Sequence, residues 1–227
     1  MKKKIEIIMS VCFLAAALLL ARKGAEAVLG TRLERSAVTV CVDAGHGGAD
    51  PGKVGCHGEQ EKDINLQIAY KVRKLLEEQD INVVMLREKD EDLADAGTQN
   101  RKVSDMQNRV KAIDKADAHL VVSIHQNSFP DAAVKGAQVF YYSHSPEGRS
   151  LAEYIQESLI QRIDETNTRQ EKANDSYYIL KRTPIPTVIV ECGFLSNYEE
   201  SELLTDPQYQ ERLAWAIVMG IMQYLNQ

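Results

Sequence analysis

The cysteine spacing of a thiolate metal site is the first thing this chain lacks. It has four cysteines, Cys12, Cys41, Cys56 and Cys192, and none share the Cys-x-x-Cys spacing of a thiolate zinc site. Cys41 and Cys192 sit in or beside apolar runs, where a thiol behaves as a small hydrophobe. A basic stripe is missing too. The formal charge is −6, and outside residues 1–27 there are 22 basic against 31 acidic residues. That balance disfavours nucleic acid and anionic membrane surfaces as partners. Internal repeats and low-complexity tracts are also absent. What remains is a chain of 227 residues, long enough for one α/β domain with a leader.

The leader is written at the N-terminus. Lys2, Lys3 and Lys4 precede fifteen apolar-leaning residues, Ile7 to Ala21, and Arg22 and Lys23 close the run. This is a basic region followed by a hydrophobic one, with small residues in Ala25-Glu26-Ala27 at the spacing a signal peptidase favours. The reading is an exported protein, with residues 1–27 a signal peptide or N-terminal membrane anchor, 28–37 a linker and 38–227 the folded domain. Contact with a membrane is expected only through that first segment.

Past Val38 the pattern alternates. Val38–Val42, Asn82–Leu86, His119–Ile124, Gly136–Tyr142 and Thr187–Val190 read as buried strands, short and rich in β-branched residues. Between them, Leu66, Ala69, Val72, Leu75 and Leu76 recur at helical steps, as do Leu151, Ala152, Ile155 and Leu159. Further helices are expected over Met106–Lys115, Glu199–Leu204 and Pro207–Tyr224. Asp164–Asp175 reads as a loop and Tyr177–Leu180 as a short strand. The fold class is α/β: one domain with an open, mostly parallel twisted sheet of about five to six strands and helices on both faces.

In such sheets, sites gather at the carboxyl ends of the strands. Three strands here run into titratable residues. The first meets Gly45-His46-Gly47-Gly48, the third His125-Gln126-Asn127 and the fifth Glu191. A carboxylate at the edge of a core needs a partner. Two histidines and an acid, with one position left open, make a catalytic zinc set. Glu61 is the best third ligand, at the start of a helix the glycine loop can fold back. Glu59 and His57 are rivals. Glu191 is then left as general base and acid. Other chemistries fail on missing residues. The glycines lack the third member of a dinucleotide loop, and Gly52-Lys53 is followed by Val54, where a phosphate loop needs Ser or Thr.

Five segments carry a resemblance. They are Val-Asp-Ala-Gly-His-Gly-Gly at 42–48, Glu-Lys-Asp-Ile-Asn-Leu at 61–66, Leu-Arg-Glu-Lys-Asp at 86–90, Ser-Ile-His-Gln-Asn at 123–127 and Val-Glu-Cys-Gly-Phe-Leu-Ser-Asn at 190–197. In this order they resemble the zinc-dependent N-acetylmuramoyl-L-alanine amidases of bacterial cell-wall turnover. The resemblance implies zinc on His46, Glu61 and His125, with Glu191 as the catalytic carboxylate. It favours Glu61 over Glu59. It implies peptidoglycan as substrate, with Asn127, Arg109 and Arg169 as substrate-binding positions; Arg87 also matches. Thr168-Arg169-Gln170 stands where the family often has Asn-Arg-Gly. Wall-binding repeats are absent. A short exported catalytic domain resembles the branch acting on spore cortex in sporulation and germination. The alternatives are another exported zinc peptidase, of carboxypeptidase type, or a non-catalytic wall-binding module. Any activating partner is left unidentified by the sequence.

Overall fold

The computed structural model describes residues 2–36 and 38–227, in two compact units, Met1–Val38 and Thr39–Gln227. The first unit is one helix, α1 (Lys2–Ser36). It spans the expected leader and continues through residues 28–36, the expected linker. Ala37, the linker's last residue, lies outside the described residues, as does Met1. Among the described residues, no helix is long and apolar enough to cross a membrane.

The second unit begins with β1 (Thr39–Ala44), α2 (Glu61–Glu77) and β2 (Asn82–Met85). It continues with α3 (Arg101–Lys115), β3 (Leu120–Asn127), β4 (Gln138–Tyr141) and α4 (Pro146–Arg162). Then come β5 (Lys172–Ala173), α5 (Tyr178–Arg182), β6 (Thr187–Phe194), α6 (Tyr198–Thr205) and α7 (Pro207–Leu225). The strands form one sheet in the order β2-β1-β3-β6-β4-β5. β2, β1, β3 and β6 are parallel, β4 runs antiparallel to β6, and β5 is parallel to β4.

The apolar runs of β1, β3 and β6 are continuous because both faces of the sheet are covered. Successive side chains still alternate between the faces. Cys41, Val121 and Ile189 pack with Ile113 of α3 and Ile179 and Leu180 of α5. On the other face, α2 and α4 contact the strands, and α7 packs against both helices. Ile68, Ile155 and Ile217, one from each of these three helices, are fully buried. The alternation carries function. Asp43 and Ser123 are register partners, as are His125 and Glu191. Counting by twos from Cys41, Val121 and Ile189 puts all four on the α3/α5 face.

Three expectations change. Tyr177–Leu180 is not a strand: the chain turns into α5 there. Asn174 Oδ1 accepts from Ser176 N at 2.8 Å and Tyr177 N at 3.1 Å, which winds the backbone before the helix begins. Lys172–Ala173, expected as loop, pairs with β4 as a two-residue edge. α3 starts at Arg101 rather than Met106, with Asn100 Oδ1 capping Val103 N at 3.2 Å. Its first turn is polar and carries no hydrophobic period.

Candidate active site

Beyond Ala44 the chain takes a bend that only small residues permit. A Cβ at Gly45 would stand 2.2 Å from the His125 ring, so the glycine is what lets strand end and imidazole meet. His46 has φ 62, a left-handed conformation uncommon outside glycine. The strained backbone aims its ring back across the sheet end. The bend is held from two sides. Arg87 donates to the carbonyls of Ala44 at 2.8 Å, Gly45 at 3.1 Å and Lys62 at 2.7 Å. Arg109 donates to Ala44 O at 3.1 Å and His46 O at 2.6 Å.

Glu61 opens α2 and is 2% exposed. Its Oε2 lies 3.3 Å from His46 Nε2 and its Oε1 3.0 Å from His125 Nδ1. It also accepts from Lys53 N at 2.8 Å and Gln126 N at 3.1 Å. Burial alone would raise its pKa, but hydrogen bonds from His125 and His46 hold it well below the usual carboxylate range. Burial pulls His46 the other way, yet the bonds to Glu61 and Asp50 leave its pKa raised.

The donor atoms of His46, Glu61 and His125 lie within 4.8 Å of one another. Among the described residues, no Lys or Arg is in ion-pair range of Glu61. A buried carboxylate flanked only by imidazoles and N–H groups fits a dication. The two histidines keep 18% and 21% of their side chains exposed, which leaves the set open on one side. Asp50 Oδ2 lies 2.9 Å from His46 Nδ1. With the proton on Nδ1, Nε2 presents its lone pair to the cluster.

Glu191 lies beside this set on β6 and is 5% exposed. Tyr177 Oη donates to its Oε1 at 3.3 Å. Its Oε2 is buried with no hydrogen-bond partner among the described residues. Burial raises its pKa and Glu61 adds to that, while His125 and the Tyr177 bond oppose it; the net direction is up. Beneath the site, Asp43 forms a buried ion pair with Arg109 and accepts from Ser123 Oγ at 2.6 Å. Burial would raise Asp43, but Arg109 and Ser123 outweigh it and hold it low. All of these groups line one cleft of about 430 Å³.

The structure thus joins His46, Glu61, His125 and Glu191. It removes the rivals to Glu61. Glu59 Oε2 accepts from His57 N at 3.0 Å and folds over its own loop, and the His57 ring packs edge-on against Tyr198 with centroids 4.4 Å apart. Asn127 lines the cleft. Arg109 reaches it only from below, 1% exposed, with its guanidinium engaged by Asp43, Asp105 and the two carbonyls. Arg169, expected with the substrate-binding residues, is not brought to the cleft. Its guanidinium lies 4.7 Å from the centre of the Phe194 ring, and its Nε donates to Lys135 O at 2.8 Å. Asp50 was not expected in the site. Its signal was present as an acid four residues after His46, but the bend that joins them is a matter of backbone angles.

The profile of the N-acetylmuramoyl-L-alanine amidases matches residues 40–223. The chain belongs to this amidase family. A germination-specific N-acetylmuramoyl-L-alanine amidase of Bacillus subtilis is 41% identical over 199 residues, 86% of this chain and 83% of that protein. The amidase CwlD from Clostridioides difficile, solved in complex with the GerS lipoprotein, matches with TM-score 0.81 and 42% identity, over 83% of this chain and 98% of that one. AmiC2, an N-acetylmuramoyl-L-alanine amidase of Nostoc punctiforme, gives TM-score 0.72 and 32% identity, over 84% and 98%. The amidase hydrolyses the amide between the lactyl group of N-acetylmuramic acid and L-alanine.

Proposed function

We propose that this amidase is zinc-dependent, with His46, Glu61 and His125 as ligands and Glu191 as the group that moves the proton. The observation that carries the reading is the orphaned Glu191 Oε2, buried beside an open set of two imidazoles and a carboxylate. When bound, zinc polarises an amide carbonyl and makes water acidic enough to attack near neutral pH.

The protein's own groups do the rest. Glu191 Oε2 takes a proton from the water that attacks the carbonyl carbon. The same carboxyl then delivers that proton to the alanine nitrogen as the C–N bond breaks. One new C–O bond replaces one C–N bond, and the products are a muramic carboxylic acid and a peptide with a free amine. Tyr177 holds the other oxygen of Glu191 and so fixes the direction of Oε2. Asp50 holds His46 in the tautomer that leaves Nε2 free. Asn127, on the cleft wall, binds substrate.

The relatives supply the biological setting. The germination-specific relative supports spore-cortex peptidoglycan as substrate, and the neighbour solved with a lipoprotein supports a protein partner. Residues 1–27 act as an export leader, cleaved or retained, and the enzyme works outside the cytoplasm with its substrate. Digestion of cortex peptidoglycan tests the reading: free stem peptides with intact glycan support it, and released terminal amino acids refute it. Spores of a deletion strain are expected to lack muramic lactam; normal muramic lactam would remove the cortex role.

A further inference from the structure

Two cations face the cleft without a part in the chemistry above. Lys53 comes from the loop before α2, and Lys102 from the first turn of α3; both line the cleft. The root of Lys53 is fixed. Its N–H donates to Glu61 Oε2 at 2.8 Å, its carbonyl accepts from Glu61 N at 2.9 Å, and Val54 bridges to Gln60. Beyond that root the side chain is exposed and has no acidic partner among the described residues. The Lys102 side chain is 75% exposed, and its nearest acid is Asp50 at 3.8 Å, which already holds His46.

Neighbouring bases are committed elsewhere. Lys62 pairs with Asp90 at 2.7 Å and Arg101 with Asp92 at 2.7 Å. Arg87 and Arg109 are spent on backbone carbonyls and buried acids. The opposite wall, from Tyr177 and Tyr178 to Ile189, is aromatic and aliphatic apart from Glu191.

The acids on the lysine wall are committed as well, Asp105 to Arg109 at 2.8 Å and Asp50 to His46 at 2.9 Å, which leaves the two lysines as its uncommitted charges. The charge of the substrate is also lopsided. Its amide consumes the carboxyl of the muramic acid and the amine of the alanine, so the sugar side is neutral. Every negative charge lies on the peptide side. We propose that Lys53 and Lys102 form an anion subsite that reads a peptide carboxylate beyond the alanine. The peptide then lies along the wall of the α2 loop and α3, and the neutral sugar against the tyrosine wall. This rests on the amidase activity and adds the substrate's polarity in the cleft and its requirement for an acidic peptide. The contact is the same in ground and transition states, so it acts on KM. It is also solvent-exposed, so it weakens with salt.

The test uses the full chain and two synthetic muramyl peptides. They differ only at the residue after alanine, whose carboxylate is free in one and a carboxamide in the other. The wild type is expected to favour the free carboxylate by about three- to tenfold in kcat/KM, mostly through KM and less at high salt. The double variant Lys53→Met/Lys102→Met is expected to lose that preference. A wild type that cleaves both equally, or a double variant that keeps the preference, overturns the proposal. Calorimetric binding of the two free peptides, alanine followed by the acid or its amide, gives a second readout that needs no turnover. Equal affinity of the wild type for both overturns the subsite. Cleavage of neither substrate, with binding still selective, counts against the amidase reading and supports the subsite.

Discussion

His125 and Glu191 are partners across β3 and β6, in register and on the same face of the sheet. The strand ladder therefore fixes the spacing between the proposed metal ligand and the carboxylate proposed to work beside it. A one-residue slip of β6 would send Glu191 to the α4 and α7 side. The two groups are neighbours in a buried parallel pair.

Glu191→Gln keeps size and register but removes the carboxylate proposed as the base. We expect kcat/KM to fall about 10²- to 10⁴-fold, with zinc content and melting temperature held near wild type. Steady-state kinetics with thermal unfolding checks this. Turnover within a few-fold of wild type would remove Glu191 from the reaction.

Tyr177→Phe removes a hydrogen bond that favours the charged form of Glu191. Losing it raises the pKa of the carboxyl, so less of the base is ionised at a given acidic pH. The acid limb of the pH profile of kcat/KM should move to higher pH, with kcat reduced below that limb and recovered above it. An unmoved limb would mean that Tyr177 does not position Glu191.

Asp50→Ala should weaken zinc binding by about 10- to 100-fold, because His46 loses the acceptor that sets its tautomer. Asp50→Asn retains an acceptor and should recover part of that loss. Competition with a chromogenic chelator measures both. Equal affinities for wild type and Asp50→Ala would show that His46 needs no such support.

Asp43 and Arg109 form the buried ion pair under the bend. Asp43 is depressed in the folded state, so its contribution to stability is present above the unfolded carboxylate pKa. That contribution is lost as pH falls through the folded value. Asp43→Asn leaves Asp105 as the acidic partner of Arg109 and should cost about 1–3 kcal/mol at neutral pH. The deficit should shrink as wild type is acidified through that range. Urea unfolding at several pH values measures it, and a pH-independent deficit would contradict the assignment.

The sheet was legible because β1, β3 and β6 are apolar runs broken by glycine or polar residues, and α2, α4 and α7 keep a clear helical period. Short elements were not. The two residues of β5 and five of α5 are set by Asn174 and by pairing with β4, which no local pattern announces. In the site, His46, His125 and Glu191 could be read from their places after apolar runs, although β3 and β6 extend through His125 and Glu191. Glu61 could not be separated from Glu59 by spacing alone, since the two stand two residues apart where the returning loop meets α2. Asp50 and Arg109 depend on the left-handed His46 and on a contact spanning 63 residues. Arg169 is drawn away from the cleft by the Phe194 ring, a contact invisible in the chain order.

Zinc stoichiometry, measured by mass spectrometry of elements on the full-length wild type, His125→Ala and Glu191→Gln, tests the site as assigned. We predict about one zinc per chain in the wild type and in Glu191→Gln, and a large loss in His125→Ala. Zinc lost from Glu191→Gln would make that carboxylate a ligand instead of the proton carrier. Zinc retained in His125→Ala, or absent from the wild type, would contradict the metal centre itself.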